Sequence, residues 1–381
     1  MQFTRIADPT FARIAIRECV RDALGLVHPA QDPDCHLRAA IEWLVLAQDQ
    51  TGNGGVSAGF GRRGWRPDYP ETTGYIIPTF LDYWHLTGNN DLLDRALRMG
   101  AYEMRVQNED GAIPGGYAQP RSPCVFDTGQ VILGWLALYQ ETGQVEYLRA
   151  ARLAGDWLRR VQARDGSWPS FDHAGSARAY HSRVAWALIA LGQASGEQGY
   201  IESGRSQLDW TMTTQRPNGW FDRAELRGEP YPVTHTIAYT IRGLLESAAA
   251  LQDSRYLECA RRAADALRHC QLKDGSLPGR FDSCWRPRSD WSCLTGCAQM
   301  SLNWLRIYEL TGESAYMQAG LRSNSFVRKT QNLRTSGPDR GAIKGSWPCY
   351  GEYERLSYPN WAAKFFADAL MLEIKVLRAR L

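Results

Sequence analysis

Two kinds of hydrophobic pattern alternate along the chain. Residues 144–162 place apolar side chains such as Leu158 along one side of a helix and charged side chains such as Glu146 and Arg149 on the other. This one-sided spacing predicts helices that cover a core from the outside. Residues 127–140 (DTGQVILGWLALYQ) are apolar nearly all round, which predicts inner helices that are buried on most sides. The alternation therefore indicates helical hairpins.

Two landmarks repeat in step with this alternation. A glutamine ends each predicted outer helix at intervals of 53 to 60 residues: Gln48, Gln107, Gln162, Gln215, Gln271 and Gln331. In most repeats an Asp-Gly or Asn-Gly pair follows, where glycine can end a helix. The second landmark follows each of the first five inner helices: Thr87-Gly88, Thr142-Gly143, Ser195-Gly196, Gln252-Asp253 and Thr311-Gly312. The matching periods predict six repeats of one hairpin unit.

The two ends of the repeat region complement each other. It opens with an outer-type helix over about residues 36–48 and closes with an inner-type helix over about 360–378. Pairing these helices closes a ring and leaves no apolar edge, whereas the alternative is an open helical solenoid. The sequence therefore predicts an all-α fold, an (α/α)6 barrel over residues 36–381, preceded by an N-terminal extension over 1–35.

Composition narrows the class of partner. The 381 residues are 44% hydrophobic and 22% charged, and the net charge is +3 without a long basic block. This composition is typical of a folded chain and gives no indication of a nucleic-acid partner. No apolar stretch reaches the roughly 18 residues of a membrane span, and the charged start predicts no signal peptide.

The nine cysteines are irregularly spaced. The tight pair Cys293 and Cys297 has no histidine after it at a spacing that zinc ligands show. The sequence therefore predicts free thiols and a cytoplasmic location, with neither a metal site nor a cofactor.

The repeats resemble those of the α/α-toroid superfamily. The segments ETGQVEYLRAARLAGDWLRRVQARDGSWP and LTGESAYMQAGLRSNSFVRKTQ carry this resemblance, which covers about residues 36–378. The superfamily includes six-hairpin glycosidases, polysaccharide lyases, sugar epimerases and the squalene-cyclase/protein-prenyltransferase group, whose Gln-x-x-Asp-Gly repeats the chain shares. The chain also resembles toroid proteins of exopolysaccharide biosynthesis clusters, which implies a role in the synthesis or modification of such a polysaccharide. The resemblance implies the fold and leaves the chemistry open.

Long loops lead into the inner helices, so a site is expected at the rim where those helices begin. Polar and aromatic side chains recur there. The candidate catalytic residues are Asp127, Glu71, His181, His235, Tyr180 and Tyr239. The candidate substrate-binding residues are Arg178, Arg183, Asp68, Asp290, Trp291, Tyr358, Asn360, Trp65 and Trp285. The competing interpretation is structural: Asp127 and Asn360 are good helix caps, and each histidine could be a hydrogen-bonded core residue.

Six helix N-termini and neighbouring arginines favour an anionic ligand, and the aromatic rings suit stacking on sugars. The first hypothesis is therefore an enzyme that acts on an acidic, uronate-containing saccharide. In a hydrolase Glu71 and Asp127 would be the acid/base pair. In a lyase Asn360 or Arg183 would neutralise the uronate, a histidine would be the base and a tyrosine the acid. A sugar epimerase would use much the same groups.

Two other functions stay open at this point. A terpene cyclase or prenyltransferase would suit the repeats and the aromatic residues, but the Asp-x-Asp-Asp motif of squalene-type cyclases does not occur in the sequence. A non-catalytic glycan-binding toroid would need no acid/base pair.

Overall fold

The computed structural model describes residues 8–117, 121–173, 175–226 and 228–379. Helix α1 (Pro9–Ala23) precedes the repeats. The outer helices are α2 (Pro33–Asp49), α4 (Asn90–Val106), α6 (Val145–Val161), α8 (Gln198–Thr213), α10 (Ser254–Cys270) and α12 (Ser314–Thr330). The inner helices are α3 (Pro70–Thr87), α5 (Val125–Thr142), α7 (Ser182–Ser195), α9 (Thr234–Leu251), α11 (Leu294–Thr311) and α13 (Asn360–Arg378).

These helices form a closed ring of six hairpins. Each inner helix packs against the next, and the last, α13, contacts the inner helices α11 and α3 and the outer helix α2. The predicted all-α fold is confirmed, as are the inner and outer roles of the helices. The first of the outer helices begins at Pro33, three residues before the predicted boundary of the repeat region.

The repeated glutamines join neighbouring outer helices. Gln162 Nε2 donates to the carbonyl oxygens of Gly166, in the loop that follows, and Ser203, on the next outer helix, at 2.8 and 3.0 Å. All six glutamines make this pair of bonds. At the last repeat, Gln331 reaches the carbonyl oxygen of His36 at 3.3 Å, so the motif itself connects α12 to α2.

Short strands seal the junction between the first and last repeats. Strands β1 (Gly59–Gly61), β2 (Gly64–Trp65) and β5 (Tyr358–Pro359) form an antiparallel sheet in the order β2-β1-β5. A second antiparallel pair joins β3 (Ser292–Cys293) and β4 (Ser346–Trp347). Helical periodicity gives no sign of these strands, because each has only two or three residues and lies in a loop.

The N-terminal extension packs onto the ring. Buried Lys344, in the loop before α13, bonds Glu18 and Asp22 of α1 at 3.2 and 2.7 Å. A buried ammonium group requires such partners, because removal from water is costly for an unpaired charge. The nine cysteines are unpaired. Within the described ranges, no helix is long and apolar enough to cross a membrane.

Candidate active site

A cavity of about 640 Å³ opens at the rim where the inner helices begin. Eight aromatic side chains line its wall: Tyr69, Tyr75, Tyr117, Phe126, Tyr180, Tyr239, Tyr353 and Trp361. The rings contact one another, with Phe126 and Tyr239 centroids 5.0 Å apart and His235 and Tyr239 centroids 4.3 Å apart. Acids and histidines stand among these rings, so the cavity combines apolar surface with polar groups, as small-molecule sites do.

Glu71, in the first turn of α3, is a buried carboxyl group on this wall. Its Oε2 accepts a hydrogen bond from the Tyr69 hydroxyl group. Burial, and secondly the charge of Asp127, raise the pKa of Glu71 to about 8. The carboxyl group is therefore protonated at neutral pH and can donate a proton.

Asp127, in the first turn of α5, lies directly behind the wall and is fully buried. Its Oδ2 accepts a hydrogen bond from the Gly116 N–H at 2.9 Å, and its Oδ1 is 2.8 Å from His173 Nε2. Burial by itself would lower the pKa of His173, but the charge of Asp127, followed by Cys124, raises that pKa well above its ordinary value. His173 is thus a cation that faces both the cavity and the carboxylate.

Glu71 and Asp127 are not strictly equivalent in the repeat. The hydroxyl oxygen of Thr73 accepts a hydrogen bond from the Val56 N–H, in the preceding loop, at 2.9 Å. Thr128 accepts the equivalent bond from the Ile113 N–H, also at 2.9 Å. These two threonines define the register, so Glu71 precedes its threonine by two residues and Asp127 by one. The alternating helical pattern predicts an equivalent register for the two acids. The observed offset helps explain why Glu71 reaches the wall and Asp127 lies behind it.

The two candidate histidines differ in position. His235 lines the cavity, its Nδ1 lies 2.8 Å from Gln299 Oε1, and burial lowers its pKa to about 4, so the ring is neutral. His181 is fully buried behind the wall, with Nε2 2.9 Å from Asp172 Oδ1. It therefore holds Asp172, which lines the cavity, and does not itself reach the cavity.

Tyr180 and Tyr239 both lie on the wall, as expected. Burial is the main reason that the pKa of each phenol is well above its ordinary value. Both hydroxyl groups stay protonated and can donate hydrogen bonds.

The charged residues predicted to bind substrate are engaged elsewhere. Arg183 lies fully buried, with Nε 2.8 Å from Gln130 Oε1 and its guanidinium over the Tyr239 ring. Arg178 is paired with Glu225, and Asp68 with Arg121 at 3.0 Å. None of the three predicted residues lines the cavity in the described ranges. The sequence shows the charges but not the partners that neutralise them.

The other predicted binding residues also lie outside the cavity wall. Trp65 packs against Trp43 and Trp285 against Trp220, with ring centroids 5.5 and 5.2 Å apart. The rest are held in the loops and the sheet or are exposed: Trp291 against Gly279, Tyr358 in β5, Asn360 bonded to the Ser57 carbonyl at 2.8 Å, and Asp290 in solvent.

Several wall residues were missed in the sequence because loops carry them. His173 and Asp172 come from the loop before α7, and Glu229 and Tyr353 come from later loops. The adjacent Asp-His pair in a loop that leads to an inner helix was the one available signal. Periodicity locates helices, but it does not give the path of a loop.

Comparisons with known proteins agree with this architecture. The family model of the squalene-hopene cyclase C-terminal domain matches residues 70–252. An unsaturated glucuronyl hydrolase specific for heparin is similar in structure, with a TM-score of 0.73 and 16% identity over 90% of this chain and 97% of that one. The chain is an α/α toroid. No curated protein sequence matches it significantly.

Two further solved structures share this toroid fold. The unsaturated glucuronyl hydrolase from Bacillus sp. GL1 has a TM-score of 0.70 and 16% identity over 90% of this chain and 97% of that one. The cellobiose 2-epimerase from Bacillus thermoamylovorans B4167 has a TM-score of 0.70 and 11% identity over 94% and 99%. At these identities the likeness establishes the fold, and the chemistry is argued from the cavity itself.

The opposite rim of the toroid also has a cavity, again of about 640 Å³. Its charged groups neutralise one another: Glu246 pairs with Arg242 and Arg306 at 3.0 and 3.2 Å, and Glu309 with Lys375 at 2.8 Å. His85 on this wall also pairs with a carboxylate, that of Glu141 at 2.8 Å, but its ring is more than half exposed. The loop-rim cavity holds Glu71, a carboxyl group that is protonated at neutral pH, beside the largely buried pair of His173 and Asp127, so it is the candidate active site.

Proposed function

We propose that this toroid is a glycoside hydrolase that acts on a uronate-containing saccharide in the loop-rim cavity. The observation that carries the proposal is the pair of acids that adjacent inner helices place at one cavity, with Glu71 protonated on its wall and Asp127 directly behind it, bonded to His173. Glycoside hydrolysis uses two carboxyl groups whose pKa values are driven apart. The similar structures are those of two glucuronyl hydrolases and a cellobiose 2-epimerase, which supports a saccharide substrate.

The roles follow from the contacts. Glu71, protonated at neutral pH, donates a proton to the leaving oxygen. His173 is the cationic side chain among the described residues of the cavity wall, so it binds the saccharide carboxylate. A carboxylate on the sugar would compete with Asp127 for His173, and Asp127 would then be free to accept a proton from water. The aromatic wall stacks on the sugar rings.

A second reaction, epimerisation or elimination, has one observation in its favour. His235 is neutral, faces the cavity and is oriented by Gln299 at 2.8 Å, as a base that removes a proton from carbon would be. Product analysis separates the two reactions, because hydrolysis consumes water, elimination yields an unsaturated sugar, and epimerisation leaves the mass unchanged. His235→Asn abolishes the second kind of reaction and leaves most of the first.

The test is an assay of uronate-terminated oligosaccharides beside neutral ones of the same linkage. We expect Glu71→Gln and Asp127→Asn each to lower kcat by at least about 100-fold, whereas Glu146→Gln, which changes an exposed acid in the first turn of an outer helix, leaves kcat unchanged. Activity should fall as the pH rises through about 8, where Glu71 loses its proton. Full activity of both cavity variants in folded protein would refute the proposal.

His173 tests the anionic part of the proposal separately. His173→Gln removes the cation, so KM for the uronate substrate should rise by about tenfold or more, while KM for a neutral analogue should change little. An equal effect on both substrates would show that the saccharide carboxylate is not bound there.

A further inference from the structure

We propose that Cys124, Asp127 and His173 form a binding site for a divalent metal ion of the zinc type. Cys124 Sγ lies 3.5 Å from His173 Nε2, which lies 2.8 Å from Asp127 Oδ1. The three ligand atoms all lie within 4.8 Å of one another, and no other group of three such side chains does so in the described part of the chain. Thiolate, imidazole and carboxylate are all ligands that zinc accepts.

The contacts distinguish a metal site from a nucleophilic triad. In a Cys-His-Asp triad the thiol and the carboxylate contact different ring nitrogens, so that the histidine can pass a proton between them. Here both contacts involve Nε2, which leaves no relay through the ring. Three ligand atoms that converge on one point are what a single metal ion requires.

The spacing is also close to that of bound zinc. Ordinary zinc–ligand bond lengths in a tetrahedral site place sulfur and nitrogen, or nitrogen and oxygen, about 3.4–3.6 Å apart. The sulfur–nitrogen distance of 3.5 Å already agrees. The nitrogen–oxygen distance of 2.8 Å would have to open by roughly half an ångström, a small side-chain rotation.

The backbone holds the three residues in this arrangement. Cys124 is the residue just before α5, and Asp127 lies in its first turn. The Val125 N–H donates to the carbonyl oxygen of Phe171 at 2.7 Å, which anchors the loop that carries His173. The Gly116 N–H binds the Asp127 oxygen that faces away from the histidine, as outer-shell groups that orient a metal ligand do.

One coordination position would face the cavity. Cys124 and His173 both line its wall, so a water molecule or a substrate atom could be the fourth ligand, as in catalytic zinc sites. The inference does not rest on the proposed hydrolysis. A metal ion would occupy Asp127 and require a neutral His173, whereas the proposed hydrolysis uses the same two groups as a base and a cation. Metal binding is therefore measured without substrate.

The test titrates the full chain, stripped of metal by a chelator and kept reduced by a phosphine, with Co²⁺ and then Zn²⁺. We expect one Co²⁺ per chain, a thiolate-to-cobalt charge-transfer band, and loss of that band when Zn²⁺ is added. Cys124→Ser should remove the band. His173→Ala should weaken Zn²⁺ binding by more than the roughly 10–100-fold that outer-shell changes cost.

Matched controls use an exposed cysteine and an exposed histidine. Cys284→Ser and His269→Ala should bind both metals as the parent chain does. Absence of a thiolate band in the parent chain would overturn the inference whether or not any variant folds. Survival of the band in Cys124→Ser, with the helical circular dichroism unchanged, would overturn it as well.

Discussion

Besides the acids at the cavity, the toroid buries the carboxyl group of Glu103. Glu103 on α4 is fully buried, and neither of its carboxyl oxygens has a hydrogen-bond partner in the described residues. Burial, and secondly the charge of Asp68, raise the pKa of Glu103 well above its ordinary value. The group is therefore protonated in the folded protein at a pH where it is ionised in the unfolded chain.

Glu103→Gln should make the protein more stable relative to the parent chain as the pH rises. Above the unfolded pKa of about 4.3, the carboxyl group ionises in the unfolded chain but stays protonated in the folded protein. The parent chain therefore loses stability as the pH rises from there towards the folded pKa. The parent chain should therefore lose up to about 1.4 kcal/mol per pH unit against the variant in this window. Urea unfolding at pH 5, 6 and 7 measures the difference. A difference that does not change with pH, as expected for exposed Glu109→Gln, would contradict this assignment.

The candidate site was predictable at residue scale on the inner helices and, for Tyr180, just before one. Glu71, His235 and Tyr239 lie on inner helices, and the cavity wall contains all three. Arginines at the rim were misleading, because each predicted cation is held by a carboxylate or an amide, as Arg178 is by Glu225. The group of Cys124, Asp127 and His173 was not predicted, because His173 comes from another loop, 49 residues after Cys124.

At the scale of the element, each hairpin contains glycines at two structurally different positions, one in the loop after the outer helix and one at the turn after the inner helix. Gly111, in the loop after an outer helix, has φ +96°, and a Cβ atom there would overlap the Leu153 carbonyl group of the next outer helix. Gly143, at the turn after an inner helix, has φ +69° but open space around it. The equivalent turn position in another repeat is Gln252 at φ +53°. Another residue can therefore occupy the turn position, whereas the neighbouring backbone leaves no room for a side chain at the loop position.

Gly111→Ala should therefore cost much more stability than Gly143→Ala. Both substitutions place a side chain in the left-handed region, which costs about 1 kcal/mol. Only Gly111→Ala adds a backbone clash, so we expect its total cost to exceed about 3 kcal/mol. Thermal unfolding of the two variants gives the comparison. Similar losses in both would mean that the loop does not pack tightly on the neighbouring helix.

The helices could be predicted and the loops could not, for a physical reason. A helix repeats its environment every 3.6 residues, so the apolar pattern records which face is buried. The strands β1 and β5 are held instead by backbone pairing between the two ends of the chain, such as Phe60 with Tyr358. Two or three residues carry no measurable period. The sequence shows that the glutamines repeat, but only the structure shows that they bond to the neighbouring repeat.

At the scale of the whole molecule, closure of the ring rests on several contacts that act at one junction. Helix α13 packs against both α2 and α3. Strand β1 pairs with β5, and Gln331 reaches the carbonyl oxygen of His36. An open stack of repeats has end units with fewer neighbours, and these unfold first. A closed ring has no end unit, so each junction should contribute to one cooperative transition.

Gln331→Ala, at the closing junction, should therefore destabilise the protein about as much as Gln162→Ala, in the middle of the chain. Each substitution removes two hydrogen bonds to carbonyl groups and a third that the glutamine Oε1 accepts, from Ser203 Oγ at Gln162 and from His36 Nδ1 at Gln331. We expect a loss of about 1–3 kcal/mol in each variant. In both variants, hydrogen exchange in α2 and in α6 should accelerate together, because both helices exchange through global unfolding. The opposite outcome would be faster exchange only in α2 of Gln331→Ala, with the other helices still unfolding at one midpoint. That result would mean that the junction opens locally and that the ring does not unfold as one cooperative unit.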